Sequence, residues 1–97
     1  MTPALQPAHP GRILQRGLKD AGLSLSRAAR ESGIPLSTLS AVTRGKRSIS
    51  AENALRLARY LGTSPRYWLN LQADYDLRVT TAAKGKSIER EVTPAGR

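Results

Sequence analysis

The feature that most constrains this chain is Gly33, which separates two short segments with helical apolar spacing. The segment before it carries two small residues, Ala28 and Ala29, on its inward face. The segment after it places Leu39 and Val42 inward. Two short helices joined by a connection of about three or four residues are typical of a helix-turn-helix. Small alanines let the two helices pack closely, so this pattern predicts that motif.

Residues typical of helix starts and helix ends recur along the chain and predict five helices. Proline or serine marks each predicted start: Pro10, Ser24, Pro35, Ser50 and Ser64-Pro65. Glycine marks four of the predicted ends: Gly22, Gly33, Gly45 and Gly62. No segment alternates as a strand does. We therefore predict an all-α, five-helix domain over residues 9–83. Residues 1–8 are predicted to form a flexible amino-terminal arm, and residues 84–97 a basic, mobile carboxyl-terminal tail.

Charge and residue usage narrow the possible functions. The formal net charge is +9, which favours a polyanionic partner, nucleic acid ahead of an acidic membrane surface. There is no cysteine and only one histidine, His9, so we expect no catalytic site, no metal site and no cofactor. No apolar run is long enough to span a bilayer, and no signal peptide is evident. We expect a cytoplasmic protein that is not an enzyme and does not bind membranes.

The third helix is predicted to contact DNA bases and the turn after it to contact phosphates. Its outward side carries six residues that a recognition helix could use: Leu36, Ser37, Thr38, Ser40, Ala41 and Arg44. Lys46 and Arg47 follow Gly45 and are placed to meet flanking phosphates. Arg27, near the start of the second helix, is the best further phosphate candidate. A bundle this small cannot bury all the apolar surface of the fifth helix, which predicts dimerisation through four residues: Leu71, Tyr75, Leu77 and Val79.

Residues 9–78 resemble the HigA-type antitoxins, a branch of the lambda-repressor-like, XRE-type helix-turn-helix proteins. Five strings carry the resemblance: His9-Pro10-Gly11-Arg12-Ile13-Leu14, Leu55-Arg56-Leu57-Ala58, Leu61-Gly62-Thr63-Ser64, Trp68-Leu69-Asn70-Leu71-Gln72 and Asp74-Tyr75-Asp76-Leu77. The resemblance implies a lambda-repressor-like fold and a homodimer that represses its own operon by binding double-stranded operator DNA. It also implies a second partner, a HigB/RelE-like ribonuclease toxin that the antitoxin silences. The same six residues of the third helix fall on the family's base-contacting positions.

Two departures from the pattern bear on how DNA would be recognised. Pro35 stands where a serine or threonine usually caps the recognition helix, so that cap bond is lost. The outward side chains are mostly short, which favours thymine-methyl contacts, water bridges and DNA shape over bidentate contacts. A stand-alone XRE-type repressor without a toxin remains the alternative function. A small basic ribonuclease is disfavoured, because such enzymes need acids and bases on a β-sheet platform.

Overall fold

The structure, a computed structural model, describes residues 8–96 and is built from five α-helices in that part of the chain. These are α1 (Pro10–Asp20), α2 (Leu25–Ser32), α3 (Leu36–Thr43), α4 (Ala51–Leu61) and α5 (Pro65–Glu91). No strand occurs among the described residues, and the predicted all-α, five-helix class is confirmed. The predicted arm, apart from Ala8, lies outside the described residues.

Local capping explains why the helices begin where they do. Three serine hydroxyls each accept a hydrogen bond from the backbone N–H of the residue three positions later, as an N-cap does. These bonds run from Arg27 to Ser24 (3.1 Å), from Asn53 to Ser50 (3.2 Å) and from Tyr67 to Ser64 (3.0 Å). Pro35 precedes α3 without a side-chain cap, as its chemistry requires. Each of these starts could be predicted, because a cap depends only on neighbouring residues.

One apolar core lies between the helices. Its buried members come from every helix and from the loops before α3 and α4: Leu14, Leu18, Ala28, Ala29, Ile34, Leu39, Val42, Ile49, Ala54, Leu57, Ala58 and Trp68. Leu55 of α4 lies outside this core, with 60% of it exposed. At about 100° per residue, the buried Ala54, Leu57 and Ala58 share one side of α4, and Leu55 points about 100° away from the middle of that side.

Helix α5 is longer than the sequence predicted. It spans 27 residues, or about 40 Å at helical rise. Its only buried residues, Trp68 and Gln72, lie in its first third. Residues 84–91, predicted to belong to a mobile tail, continue this helix. The reason is local: five of these eight residues are lysine, glutamate or arginine, which favour a helix even without packing and offset Gly85, and the first strong stop is Pro94.

Residues 8–96 contain neither a membrane-spanning helix nor a cluster of metal-ligating side chains. No helix in residues 8–96 is both long and apolar enough to cross a membrane. The same part of the chain brings together no group of three or more potential metal-ligating side chains.

Candidate nucleic-acid interface

The α2–turn–α3 unit is built around Gly33 and Ile34. Gly33 ends α2 with φ +77°, a left-handed conformation that glycine adopts without a Cβ penalty. Ile34 then enters the core and is 2% exposed. Its backbone N–H donates to Ser32 Oγ at 3.2 Å. The tight turn and the buried isoleucine together fix the angle between α2 and α3, as a helix-turn-helix requires.

The outward side of α3 is graded in exposure. Leu36, with 48% exposed, and Ser37 lie open at its amino-terminal end. Thr38, Ser40 and Ala41 are half-buried, while the opposite side inserts into the core. The accessible surface near the start of α3 is therefore made of short side chains, which suits close approach to a groove.

The basic turn (residues 44–47) follows α3 directly. The Arg44 Nε donates to Ser40 Oγ at 3.3 Å, so this guanidinium lies back along the outward side of the helix. The backbone N–H of Lys46 donates to the Ala41 carbonyl at 2.8 Å, which closes the turn. Lys46 and Arg47 are exposed. The structure therefore places three cations next to the outward side of α3, at its carboxyl-terminal end.

Arg27 lies in the first turn of α2 and is part of a surface chain of polar contacts. Its Nε donates to both carboxylate oxygens of Glu31 at 3.2 Å. The hydroxyl of Tyr60 donates to the same carboxylate at 2.6 Å. Both hydrogen bonds lower the pKa of Glu31, the bond from Tyr60 more than the bond from Arg27. Glu31 and Glu52 each pair with an arginine on the same helix, Glu31 with Arg27 and Glu52 with Arg56.

Helix α1 meets the end of α3 at Gly11. A Cβ built on Gly11 would lie 1.8 Å from the Val42 carbonyl oxygen and 3.0 Å from Thr43 Cα. Only glycine permits this approach. His9, the N-cap of α1, accepts the Gly11 N–H at Nδ1 (2.9 Å). Burial lowers the pKa of His9, an effect that the Asp76 carboxylate opposes. His9 thus joins the start of α1 to the region behind the basic turn.

Helix α5 contacts the segment that follows the basic turn through Gln72. This side chain is 6% exposed, and its Oε1 accepts the backbone N–H of Ile49 at 2.9 Å. Its Nε2 donates to Asp76 Oδ1 at 3.1 Å. The sequence around Gln72 and Gly11 predicts no role for either residue. Both act on residues more than 20 positions away, and the only signal in the sequence is that each lies in a segment resembling the HigA-type proteins.

Comparison with known proteins places this geometry in a family. The family HTH_3, Helix-turn-helix, matches residues 14–68. The structure of an addiction module antidote protein of a HigA family from Coxiella burnetii is 44% identical, with a TM-score of 0.86 over 92% of this chain and 98% of that one. The chain belongs to the HigA family. The predicted resemblance and fold are thereby confirmed.

Two further proteins, one of HigA type and one of virulence-associated type, are also similar to this chain. Pseudomonas aeruginosa antitoxin HigA, solved with the higBA promoter, is 41% identical, with a TM-score of 0.86 over 92% of this chain and 98% of that one. Virulence-associated protein I of Dichelobacter nodosus is 40% identical over 77 residues, 78% of this chain and 71% of that protein. The family match covers α2, α3, the basic turn and α4, the part of this HigA-family chain that holds the candidate interface.

The four residues predicted for dimerisation occupy different environments in this HigA-family chain. Leu71 is half-buried and packs against the core. Tyr75 is half-buried, and its ring contacts His9 edge-on with centroids 4.8 Å apart. Leu77 and Val79 are exposed by 66% and 41%. Only the last two offer wholly unused apolar surface, and the dimer role of all four stays a prediction.

An apolar cleft lies between α1 and the start of α5, at the end of α1 opposite to Gly11. It encloses about 500 Å³ and is lined mainly by Ile13, Gly17, Leu61, Tyr67 and Trp68. Trp68 Nε1 donates to Thr63 Oγ1 at 2.7 Å and fixes the indole at its wall. No residue of α3 lines the cleft, and Gly17 lies about 9 Å further along α1 than Gly11, where α1 meets α3.

Proposed function

We propose that this chain is a dimeric antitoxin that represses its own operon and silences a HigB/RelE-like ribonuclease toxin. One observation carries the DNA half of the proposal: a short-chained, accessible outward side on α3 is followed at once by the basic turn. Six residues of α3 and its cap would contact bases: Leu36, Ser37, Thr38, Ser40, Ala41 and Arg44. Arg27, Lys46 and Arg47 would contact phosphates. The HigA of P. aeruginosa, solved with its promoter, supports this assignment.

The phosphate contacts are tested by salt dependence. Lys46→Ala and Arg47→Ala should each weaken binding to every duplex, because a phosphate contact carries no sequence information. Each loss should flatten the slope of log K against log salt by about 0.9. Arg66→Ala is the matched control, since Arg66 is exposed in the first turn of α5 and belongs neither to α3 nor to the basic turn. Equal slopes for all three variants would refute the phosphate assignment.

The base contacts are tested by specificity. Ser37→Glu or Ala41→Glu puts a carboxylate on the outward side of α3, where it would face the bases and the nearby phosphates. Each should abolish the preference for the operator over a scrambled duplex in a gel-shift assay at physiological salt. A wild-type protein that binds both duplexes equally would sink the proposal of operator recognition.

Dimerisation follows from the small footprint of a single domain. Two recognition helices contact successive major grooves only when a two-fold dimer places them about 34 Å apart. We assign Leu71, Tyr75, Leu77 and Val79 to that interface. Tyr75→Arg should shift the protein to monomer in sedimentation at micromolar concentration. An unchanged mass would count against α5 as the interface.

The toxin half of the proposal concerns the other end of the molecule. A RelE-like toxin must hold RNA and is therefore basic, so a chain of net charge +9 would repel it at long range. Binding should depend on apolar contact, and it should tolerate about 0.5 M salt, where screening acts within about 3–4 Å. The amino-terminal half of α1 is covered by α3, since Gly11 abuts Val42. The α1–α5 cleft is the part that fits.

Co-expression with the neighbouring reading frame tests this half. The neighbour's product should be toxic alone and should co-purify in about 0.5 M salt. Tyr67→Ala, which removes a 43% exposed wall of the cleft, should release the partner. Leu69→Ala is the control, since Leu69 is 36% exposed on the same helix and does not line the cleft. If the neighbour is neither toxic nor retained, the chain is a stand-alone XRE-type repressor.

A further inference from the structure

The basic turn is anchored from behind by α5. Ile49, two residues after Arg47, is 3% exposed, so its backbone N–H has no access to bulk water. The Gln72 amide oxygen accepts that N–H at 2.9 Å. A backbone N–H can only donate, and a carboxylate only accepts. The amide of Gln72 therefore has one productive orientation, with Oε1 towards Ile49 and Nε2 towards Asp76, and the 3.1 Å bond to Asp76 Oδ1 fixes it.

The other side of the basic turn rests on the same part of α5. A Cβ built on Gly45 would lie 3.7 Å from the His9 ring, so His9 packs directly beneath the turn. The His9 ring in turn contacts Tyr75, the residue before Asp76. One turn of α5, from Gln72 to Asp76, thus supports the basic turn on both sides of Lys46 and Arg47.

We propose that Asp76 is a positioning residue for DNA binding, which acts through Gln72 to hold the basic turn in place. The inference rests on the proposed function, because it assumes that Lys46 and Arg47 contact phosphates. Asp76 itself need not touch DNA. It is exposed, so replacing it removes the orienting bond without opening the core.

The charge effect and the positioning effect of Asp76 on DNA affinity have opposite signs, because removing an acidic residue from a DNA-binding protein ordinarily strengthens binding. Asp76→Ala should instead weaken it. Fixing the backbone of one residue corresponds to roughly 5- to 30-fold in a binding constant, so we expect operator affinity to fall about tenfold. Asp74→Ala is the matched control: Asp74 is also exposed on α5, and its loss changes the net charge equally. Asp76→Asn keeps an oxygen that can accept from Gln72 and should restore affinity.

A second readout does not require DNA. Amide hydrogen exchange of Ile49 in the free protein should accelerate at least about tenfold in Asp76→Ala and remain unchanged in Asp74→Ala. Gln72→Met should accelerate it further, although that variant could also lower the stability of the fold. If the Ile49 amide of Asp76→Ala exchanges at the same rate as in the wild type, the inference is overturned whatever the DNA result.

The DNA outcomes separate the inference from the proposed function. Wild-type protein that does not prefer its operator refutes the proposed function, and the positioning role falls with it. Wild-type protein that binds its operator, with Asp76→Ala binding as tightly as Asp74→Ala, refutes the positioning role alone.

Discussion

Replacing Gly11 by alanine is expected to be the most damaging single-methyl change in the described structure. The new Cβ would lie 1.8 Å from the Val42 carbonyl oxygen, 2.7 Å from the Val42 carbonyl carbon and 3.0 Å from Thr43 Cα. All three atoms belong to the backbone of α3, so no side-chain rotation relieves the clash. Either α1 or α3 must withdraw by about 1.5 Å to reach ordinary contact distance.

The size of this withdrawal determines how much stability the variant loses. Overpacking a core costs about 1–3 kcal/mol and occasionally more, and a clash with backbone belongs at the upper end. We therefore expect the free energy of unfolding to fall by about 3 kcal/mol. For a domain of this size, that corresponds to a decrease in melting temperature of about 12–24 °C.

The same helix offers a matched control. Gly17→Ala adds the same methyl group to α1, but nothing lies within 4 Å of its Cβ position. An alanine in a helix interior is favoured over glycine by about 0.5–1 kcal/mol, so this variant should melt slightly higher than wild type. Thermal unfolding followed by circular dichroism measures both. If the two variants move in the same direction, or Gly11→Ala stays within about 2 °C of wild type, the close approach of α1 to α3 is refuted.

Three further predictions concern polar contacts. Because burial lowers the pKa of His9, its contribution to stability should be complete above about pH 6.5 and decline as pH falls below that value, and His9→Asn should flatten this decline below about pH 6.5; a flat wild-type profile in that range would contradict this. Thr63→Val should leave Trp68 Nε1 without its acceptor and cost about 1 kcal/mol, with a shift in the fluorescence of this single tryptophan, whereas unchanged emission and stability would contradict it. Tyr60→Phe should raise the pKa of Glu31 towards its ordinary value, as followed by NMR of the side-chain carbonyl, and an unmoved titration would show that the Tyr60 bond does not form in solution.

Local features of the fold could be predicted from the sequence, because their causes lie within a few residues. The serine caps of α2, α4 and α5 were predicted, as was the turn at Gly33. The length of α5 was not. We judged residues 84–91 by their scarcity of apolar side chains, but an exposed helix is sustained by intrinsic propensity, which this segment has.

Long-range contacts could not be predicted. Gln72 accepts from Ile49, 23 positions away, and Gly11 approaches Val42 across 31 positions, and neither distance leaves a periodic signal. Arg27 is a similar case. Its place at the start of α2 was predicted, and its bonds to Glu31 lie within α2, whereas the link from Glu31 to Tyr60 depends on how α4 packs beside α2. The sequence thus indicated which residues face outward, but not which contacts hold them.

The measurement that tests the central claim most directly is an NMR map of backbone amide shifts on titration with a duplex from the protein's own promoter. We predict the largest changes over residues 36–47 and at Arg27, with small changes around Tyr67 and Trp68 in the α1–α5 cleft. A scrambled duplex should move the basic turn but leave Ser37 and Thr38 almost unchanged. Changes concentrated in the cleft or along residues 77–91, with α3 unaffected, would contradict the assignment of α3 and the basic turn as the DNA-binding surface.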